Sequence, residues 1–555
     1  MSDKVQRIVQ LADSLFNASE RTNNENLWDE LSEFMLNNQW KFNRQQSVSA
    51  TDISSLMSTN AGTKKTRRLY DSTALQAVQD LSAAFQGTLT NPATTWSKMR
   101  FNDDALNNDS DSGLWLEKVN DMMHNEFNES NFDTEIAKGY QSLVSMANMP
   151  IFHEERETKA GEHDGVRFTS LHLSQVVWME DKEGIVDSLY RKFTMRAKQA
   201  VEKWGDAVPH EIMKVVEQEP NKEFQFLHAI FPRKDSEVKL NELGLAPGKN
   251  RPWASIYISI EGLKMVEEGG YYEMPVYVAR WSMLSGELYG RGPSHLALPD
   301  VRTLNRLKQR GLEAMDLQVR PPILANERDV FGQLDLRPGG ISIVKDVNGV
   351  KEFVSQARAD ILEFSTQDLI QSIKSMFFLD KIQPLSNLDK KERMSQLEVT
   401  KRLEEMQSVL GPVLSRLNSE LLQPLVIRQF KIMLRAGVLP EMPDMVKERG
   451  LDLEIVFVNQ LARSQQVQDV SSIQQWVQNL AGLAQLDPTV IDNIDSDGIA
   501  RHTAKILGVP EVAVANQDEI EQTRAARQQA QQQQQALESA NMAADAAAKA
   551  GNLGE

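Results

Sequence analysis

The sequence predicts a mainly α-helical protein with α+β parts, and three observations carry that expectation. Apolar residues recur at helical spacing near the start and again from about 358 to 436. The segment 224–283 alternates apolar and polar residues with the period of a strand. The final stretch has no aromatic residue after Trp476 and no proline after Pro510, with a homopolymeric Gln531 to Gln535 run and an Ala-rich end, so it reads as helix-prone low complexity.

In chain order, residues 1–60 carry two amphipathic helical patterns between polar loops: Val5, Ile8, Leu11 and Leu15, then Leu27, Leu31, Phe34 and Met35. A helix is expected from near Asp71, with Leu75, Val78, Leu81 and Phe85 on one face and Gly87 just past its end. Asp, Ser or Thr before such a run caps a helix, and Asn91-Pro92 cannot continue one. Leu116, Val119, Met122, Met123 and Phe127 mark another helix within 114–147. From 161 to 195 the character turns to strand, with Asp181-Lys182-Glu183-Gly184 as a hairpin turn. Farther on, Ile256, Ile258 and Ile260 alternate with Ser255, Tyr257 and Ser259, Gly269-Gly270 marks a turn, and Val276 and Val278 alternate with Tyr277 and Ala279: a half-buried sheet. Helices are expected at 195–205 and 212–218, separated by Pro209, and from 294 to 317 after the sheet. Short strands follow (341–344, with a turn at Asn348-Gly349), then a helical block over 358–436 that Pro384, Gly411-Pro412 and Pro424 kink or break.

Composition bounds the function. At 555 residues the chain has room for three or four domains. It contains no cysteine, which excludes disulfides and thiolate chemistry and fits assembly in a reducing cytoplasm. The opening MSDKVQRIVQLADSLF is amphipathic rather than the apolar core of a signal peptide, and there is no apolar run of the ~18 residues a membrane helix needs. A net charge of −17 argues against tight gripping of nucleic acid. His153-Glu154-Glu155 is not H-E-x-x-H, and GELYGRGP (286–293) lacks the GKS/T ending of a phosphate loop; Gly290 and Gly292 instead allow a tight turn and Pro293 starts a helix. No nucleophile triad or carboxylate pair stands out, so neither enzymatic activity nor a cofactor or metal is expected.

Three stretches share one likeness. RRLYDSTALQAVQDLSAAFQGTLTNPATTWSKMRF (67–101) combines a basic pair, a YDST helix start, a proline turn, and a Trp and Phe that re-enter the protein. WSMLSGELYGRGP (281–293) precedes a helix and then Arg320-Pro321-Pro322, and EVTKRLEEMQSVLGPVLSRLNSELLQPLVIR (398–428) has LGP and QPL steps. In this order they resemble the portal (head-to-tail connector) proteins of short-tailed phages over most of 64–440, while 1–60 and 470–555 match by length and character only.

That resemblance implies a wing, stem helices, a β-containing clip and a helical C-terminal crown. It divides the chain into an N-terminal arm and wing (1–194), a first stem region (195–223), a clip (224–292), a second stem helix (293–320), a wing continuation with a long kinked helix and a tunnel loop at about 379–393 (321–470), and a crown with a Gln/Ala-rich tail (471–555). It also implies a ring of twelve copies at one vertex of the virion, assembled in the host cytoplasm. Its partners would be the major capsid and scaffolding proteins, the terminase large subunit, tail adaptor or nozzle proteins, and double-stranded DNA held without sequence preference, with no membrane. Twelve copies would carry roughly 200 negative charges, a conduit that lets DNA go. Arg302, Arg306 and Arg310 fall on one side of a helix, either a solvated, salt-bridged face or a stripe toward the channel or a neighbouring subunit. Lys381, Lys390, Lys391 and Arg393, in a surface loop by composition, become candidate DNA contacts where the tunnel loop is implied. The alternative is a non-portal helical scaffold or internal structural protein of a virion.

Overall fold

A computed structural model describes residues 2–36, 69–157, 163–239, 246–319, 323–325, 350–352, 359–381 and 409–457, and beyond these 470, 472–480, 494, 496–507, 520, 522–530 and 532–533. In chain order the elements are α1 (Ser2–Phe16), α2 (Ser19–Met35), α3 (Thr73–Leu89), β1 (Ser97–Phe101), α4 (Asp104–Asn108), α5 (Ser110–Glu129), α6 (Phe132–Met146), β2 (Asn148–Glu157), β3 (His163–Ser170), β4 (Val176–Glu180), β5 (Val186–Arg196), α7 (Ala197–Trp204), α8 (His210–Val216), β6 (Glu223–Pro232), β7 (Trp253–Ser259), β8 (Lys264–Tyr271), β9 (Val276–Arg280), α9 (Pro293–Val319), β10 (Ile323–Ala325), β11 (Val350–Glu352) and α10 (Ala359–Met376). Then come α11 (409–417), a π-turn (Asn418–Leu422), α12 (Gln423–Ala436), α13 (Asp444–Arg449) and β12 (Leu453–Phe457). The chain is thus a mixture of helix and sheet, as expected. It divides into two compact units, Met1–Thr94 with Glu126–Ala436, and Thr95–Asn125 with Gly437–Glu555.

The larger unit is organised on a five-stranded antiparallel sheet in the order β4-β5-β6-β7-β8. The β4–β5 hairpin turns as its sequence predicts: Gly184 sits at φ +80° and the Asp181 carboxylate accepts the N–H of Glu183 (2.7 Å) and Ile185 (3.0 Å). The alternation in β7 does not give a half-buried strand, because both faces are covered. On one face Val5, Ile8, Ala12 and Phe16 of α1 lie over Val177, Tyr190, Leu227, Ala229, Ile256 and Ile258. On the other, α7 and α8 pack on Phe224, Phe226, Tyr257 and Val266. Each large apolar side chain removed from water there contributes about 1.5 to 3 kcal/mol, so the N-terminal helix is core material. The sheet also runs across the divisions expected at 195 and 224: β5 spans the first, and β6 to β8 continue the pairing of β4 and β5.

Gly269-Gly270 lies inside β8 rather than at a turn. A Cβ on Gly270 would fall 2.3 Å from the Gly248 carbonyl oxygen and 2.5 Å from that of Trp253, so glycine is required by close backbone approach. A second sheet, β3-β2-β9, lies beside α6. α3 buries Ala74, Ala77, Val78, Leu81, Phe85 and Leu89 and runs past Gly87 to Leu89; the Asp71 carboxylate caps its start by accepting the Thr73 N–H at 2.8 Å. α9 and α10 pack antiparallel, with the Ser372 hydroxyl near the end of α10 donating to Asp300 near the start of α9 (2.8 Å), and β10 and β11 pair between them in sequence.

In the smaller unit β1 pairs with β12 through five register positions from Ser97–Phe457 to Phe101–Leu453. The opposite edge of β1 is met by a side chain. Asn120 of α5 accepts the Met99 N–H (2.8 Å) and donates to the Met99 carbonyl (3.3 Å), supplying the two bonds a strand would have made. Trp96 and Phe101 are buried here, as the sequence predicts, and the Trp115 indole N–H donates to the Pro440 carbonyl at 3.1 Å.

Candidate functional site

α9 starts at Pro293, and the turn before it is set by space. A Cβ on Gly290 would lie 2.5 Å from the Ala147 carbonyl oxygen, and the Gly290 N–H donates to the Asn148 side chain at 2.9 Å. Neither Gly290 nor Gly292 has positive φ, so the glycines of GRGP serve close packing rather than an unusual backbone conformation.

On α9, Arg302, Arg306 and Arg310 are all exposed on the i, i+4, i+8 side. The structure then separates them. Arg302 forks onto the Glu30 carboxylate of α2 with two nitrogens, and this bond raises its pKa. Among the described residues Arg306 and Arg310 have no ion-pair partner. One arginine therefore tethers the N-terminal helices. Lys381 lies at the end of the described α10 region, half-buried, with its N–H donating to the Phe378 carbonyl at 3.0 Å. Lys390, Lys391 and Arg393, and with them most of the expected tunnel loop, lie outside the described residues.

The strongest polar constellations in the larger unit are ones that no sequence pattern announces. Arg280, 2% exposed at the end of β9, donates to Glu180, to Glu420 (2.7 Å) and to the carbonyls of Gly184 and Leu288. Glu273, between β8 and β9, takes a two-pronged contact from Arg435 (2.6 and 2.9 Å) and another from the buried Arg428 (3.1 Å), fastening α12 to that turn. His153 is fully buried between the Tyr277 hydroxyl (3.0 Å) and Gln429 (3.1 Å). Burial, with the nearby Arg428 charge, holds its pKa well below the usual imidazole range, so it is a neutral structural residue. Arg21 of α2, 1% exposed, stacks over Trp28 at 4.8 Å and Tyr289 at 5.6 Å while donating to Glu25 and to the carbonyls of Leu173 and Val176. The only hint of these in the sequence is Pro424, which marks the irregularity that brings Glu420 to Arg280.

Charge is divided unequally. Residues 95–125 and 437–555 hold 11 Lys/Arg against 23 Asp/Glu, a net −12 of the chain's −17. The larger unit, which carries α9 and its exposed arginines, is close to balanced. Among the described residues no group of acidic or histidine side chains could hold a metal ion, and no helix is long and apolar enough to cross a membrane.

Residues 7–514 match the family described as bacteriophage head to tail connecting protein, and the chain belongs to that family. It is similar to a probable portal protein of Bordetella phage BPP-1, 28% identical over 539 residues, covering 95% of this chain and 92% of the relative. It is similar also to the portal protein of Salmonella phage epsilon15, 27% identical over 521 residues (92% and 89%), and to that of Pseudomonas phage phiKMV, 26% over 258 residues (44% and 47%). The likeness thus reaches the N-terminal helices and much of the tail, farther than the three motif stretches alone.

Proposed function

We propose that this chain is one copy of a twelve-membered portal ring at a single capsid vertex, where it seeds head assembly, docks the terminase during packaging, then binds tail adaptors and conducts DNA outward. The observation that carries this reading is likeness to two portal proteins along nine-tenths of both chains. Heterologous contacts that close by rotation give rings, and a ring turns each exposed side chain into a circle of charge. Arg306 and Arg310 would then give brief, sequence-blind phosphate contact, while the acidic surplus of the smaller unit keeps the duplex from being held. Lys381, Lys390, Lys391 and Arg393 remain the proposed tunnel-loop contacts, and 471–555 the crown.

Within this reading the stem is better assigned to the antiparallel α9 and α10, with the clip at the β10–β11 ladder between them. Within 224–292, β6 to β8 share a sheet with β4 and β5 while β9 pairs with β2, which supports assigning this segment to the wing instead. Chemistry is left to partner proteins: the residues act by shape, contact and charge. The test is mass measurement with negative-stain imaging of the purified protein. A ring with a central hole and a mass near twelve times 62.7 kDa is expected; a monodisperse monomer at every salt concentration would overturn the reading.

A further inference from the structure

The two-stranded sheet of the smaller unit has two edges, and only one of them is closed. Met99 turns its N–H and C=O to Asn120, so Met99 and Ile455 form a pair whose backbone groups point away from each other. The same holds two residues on in each direction. Along the β1 edge side chains meet these groups: the His124 ring N–H donates to the Ser97 carbonyl (2.8 Å), Asn120 takes both groups of Met99, and Asn107 takes both groups of Phe101 (3.2 and 2.7 Å). The outer edge of β3 is closed in the same way, by Asn131 on both groups of Phe168 and by Glu135 on the Ser170 N–H. Along the β12 edge Leu453, Ile455 and Phe457 turn their N–H and C=O outward, and among the described residues nothing bonds to them.

We propose that the β12 edge takes an extended segment of a partner protein as a third strand, a segment with apolar residues at alternate positions and lysine or arginine between them. Backbone bonds to the three outward positions give the affinity, and the side chains of β12 set the chemistry. Ser97, Met99 and Phe101 are buried, whereas Leu453, Ile455 and Phe457, on the same face, are half-buried, so apolar residues of an added strand complete that face. On the other face the exposed Glu454 stands directly across from a side chain of the added strand, in the close pairing where opposite charges attract. The net −12 of the smaller unit favours a basic strand there and opposes a second copy of the same acidic unit. The inference stands on this edge and is independent of the ring.

The probe is a short fluorescent peptide that alternates valine with lysine, and its counterpart with glutamate in place of lysine, each added to the full-length protein. The lysine peptide should bind. Amide exchange resolved by residue should then slow by about 100-fold at Leu453, Ile455 and Phe457, while Glu454 and Val456, already laddered to β1, change little. Ile455→Pro removes one outward N–H, leaves the β1 ladder in place, and should weaken the peptide by about 10-fold. No binding, equal binding of the glutamate peptide, or exchange that slows without this alternation overturns the proposal. So does protection of the same alternate amides in the protein alone that grows with its concentration, because the edge then pairs with a second copy. If the proline variant does not fold, the exchange pattern of the native protein decides.

Discussion

Glu273 shows what one side chain does when it is the shared partner of two arginines. Arg428 is almost wholly buried, so Glu273→Ala leaves a desolvated guanidinium that keeps, among the described residues, one backbone carbonyl and the face of Tyr271 as partners. We expect a loss of about 3 to 5 kcal/mol in urea unfolding; a loss below about 1 kcal/mol would mean the pair is dispensable. Arg302→Ala breaks a pair whose members are 52% and 29% exposed, and should cost only about 0.2 to 1 kcal/mol. Arg306→Ala with Arg310→Ala should leave unfolding and ring assembly unchanged while altering DNA packaging or retention in an infection assay. Unchanged DNA handling would make these arginines a solvated face, and failed assembly would make them subunit contacts. The three arginines were legible as one stripe from spacing alone; that one of them is spoken for was not, because Glu30 lies 272 residues away.

The contrast between elements is sharpest at the two ends of the chain. α1 supplies one wall of the five-stranded sheet, with Phe16 and Ala12 almost fully buried. Deleting residues 1–17 uncovers that wall, and the protein should become insoluble or lose its cooperative thermal transition. At the other end the helical residues 522–530 are exposed throughout. Truncation before 520 should leave the melting temperature within about 2 °C, since the sequence there holds almost no large apolar side chains; a fall of 10 °C would show that the tail is packed. Both ends read as amphipathic or polar helix in the sequence. Helical spacing shows that α1 has an apolar stripe, and only the sheet shows what the stripe covers.

For the molecule as a whole, acid is the sensitive variable. Burial and nearby positive charge hold His153 and His228 well below the usual imidazole range, and burial takes His172 and His295 down to about 4. Unfolding returns each to about 6.5. Between pH 6.5 and 4 the unfolded chain therefore binds more protons, so stability is fully present above about pH 7 and falls as pH drops through this window. Calorimetric unfolding at pH 5.5 in buffers of different ionisation enthalpy should report net proton uptake; no uptake would show that these rings are not held neutral.

Sequence alone determined the class of elements. Periodicity comes from the geometry of one helix or one strand, and capping and turn residues act over a few positions, so α1, α3, α5, the β4–β5 turn and the start of α9 were all readable. Tertiary structure decided what depends on distant chain. It covered both faces of β7, carried α3 past Gly87, placed Gly269-Gly270 within a strand, and turned the expected break at Pro424 into a π-turn aimed at Arg280. In each case the deciding neighbour lies far along the sequence: α1 under β7, the 248–253 backbone beside Gly270, Arg280 opposite Glu420. Burial and ion pairing are properties of such meetings, and a local pattern holds no record of them.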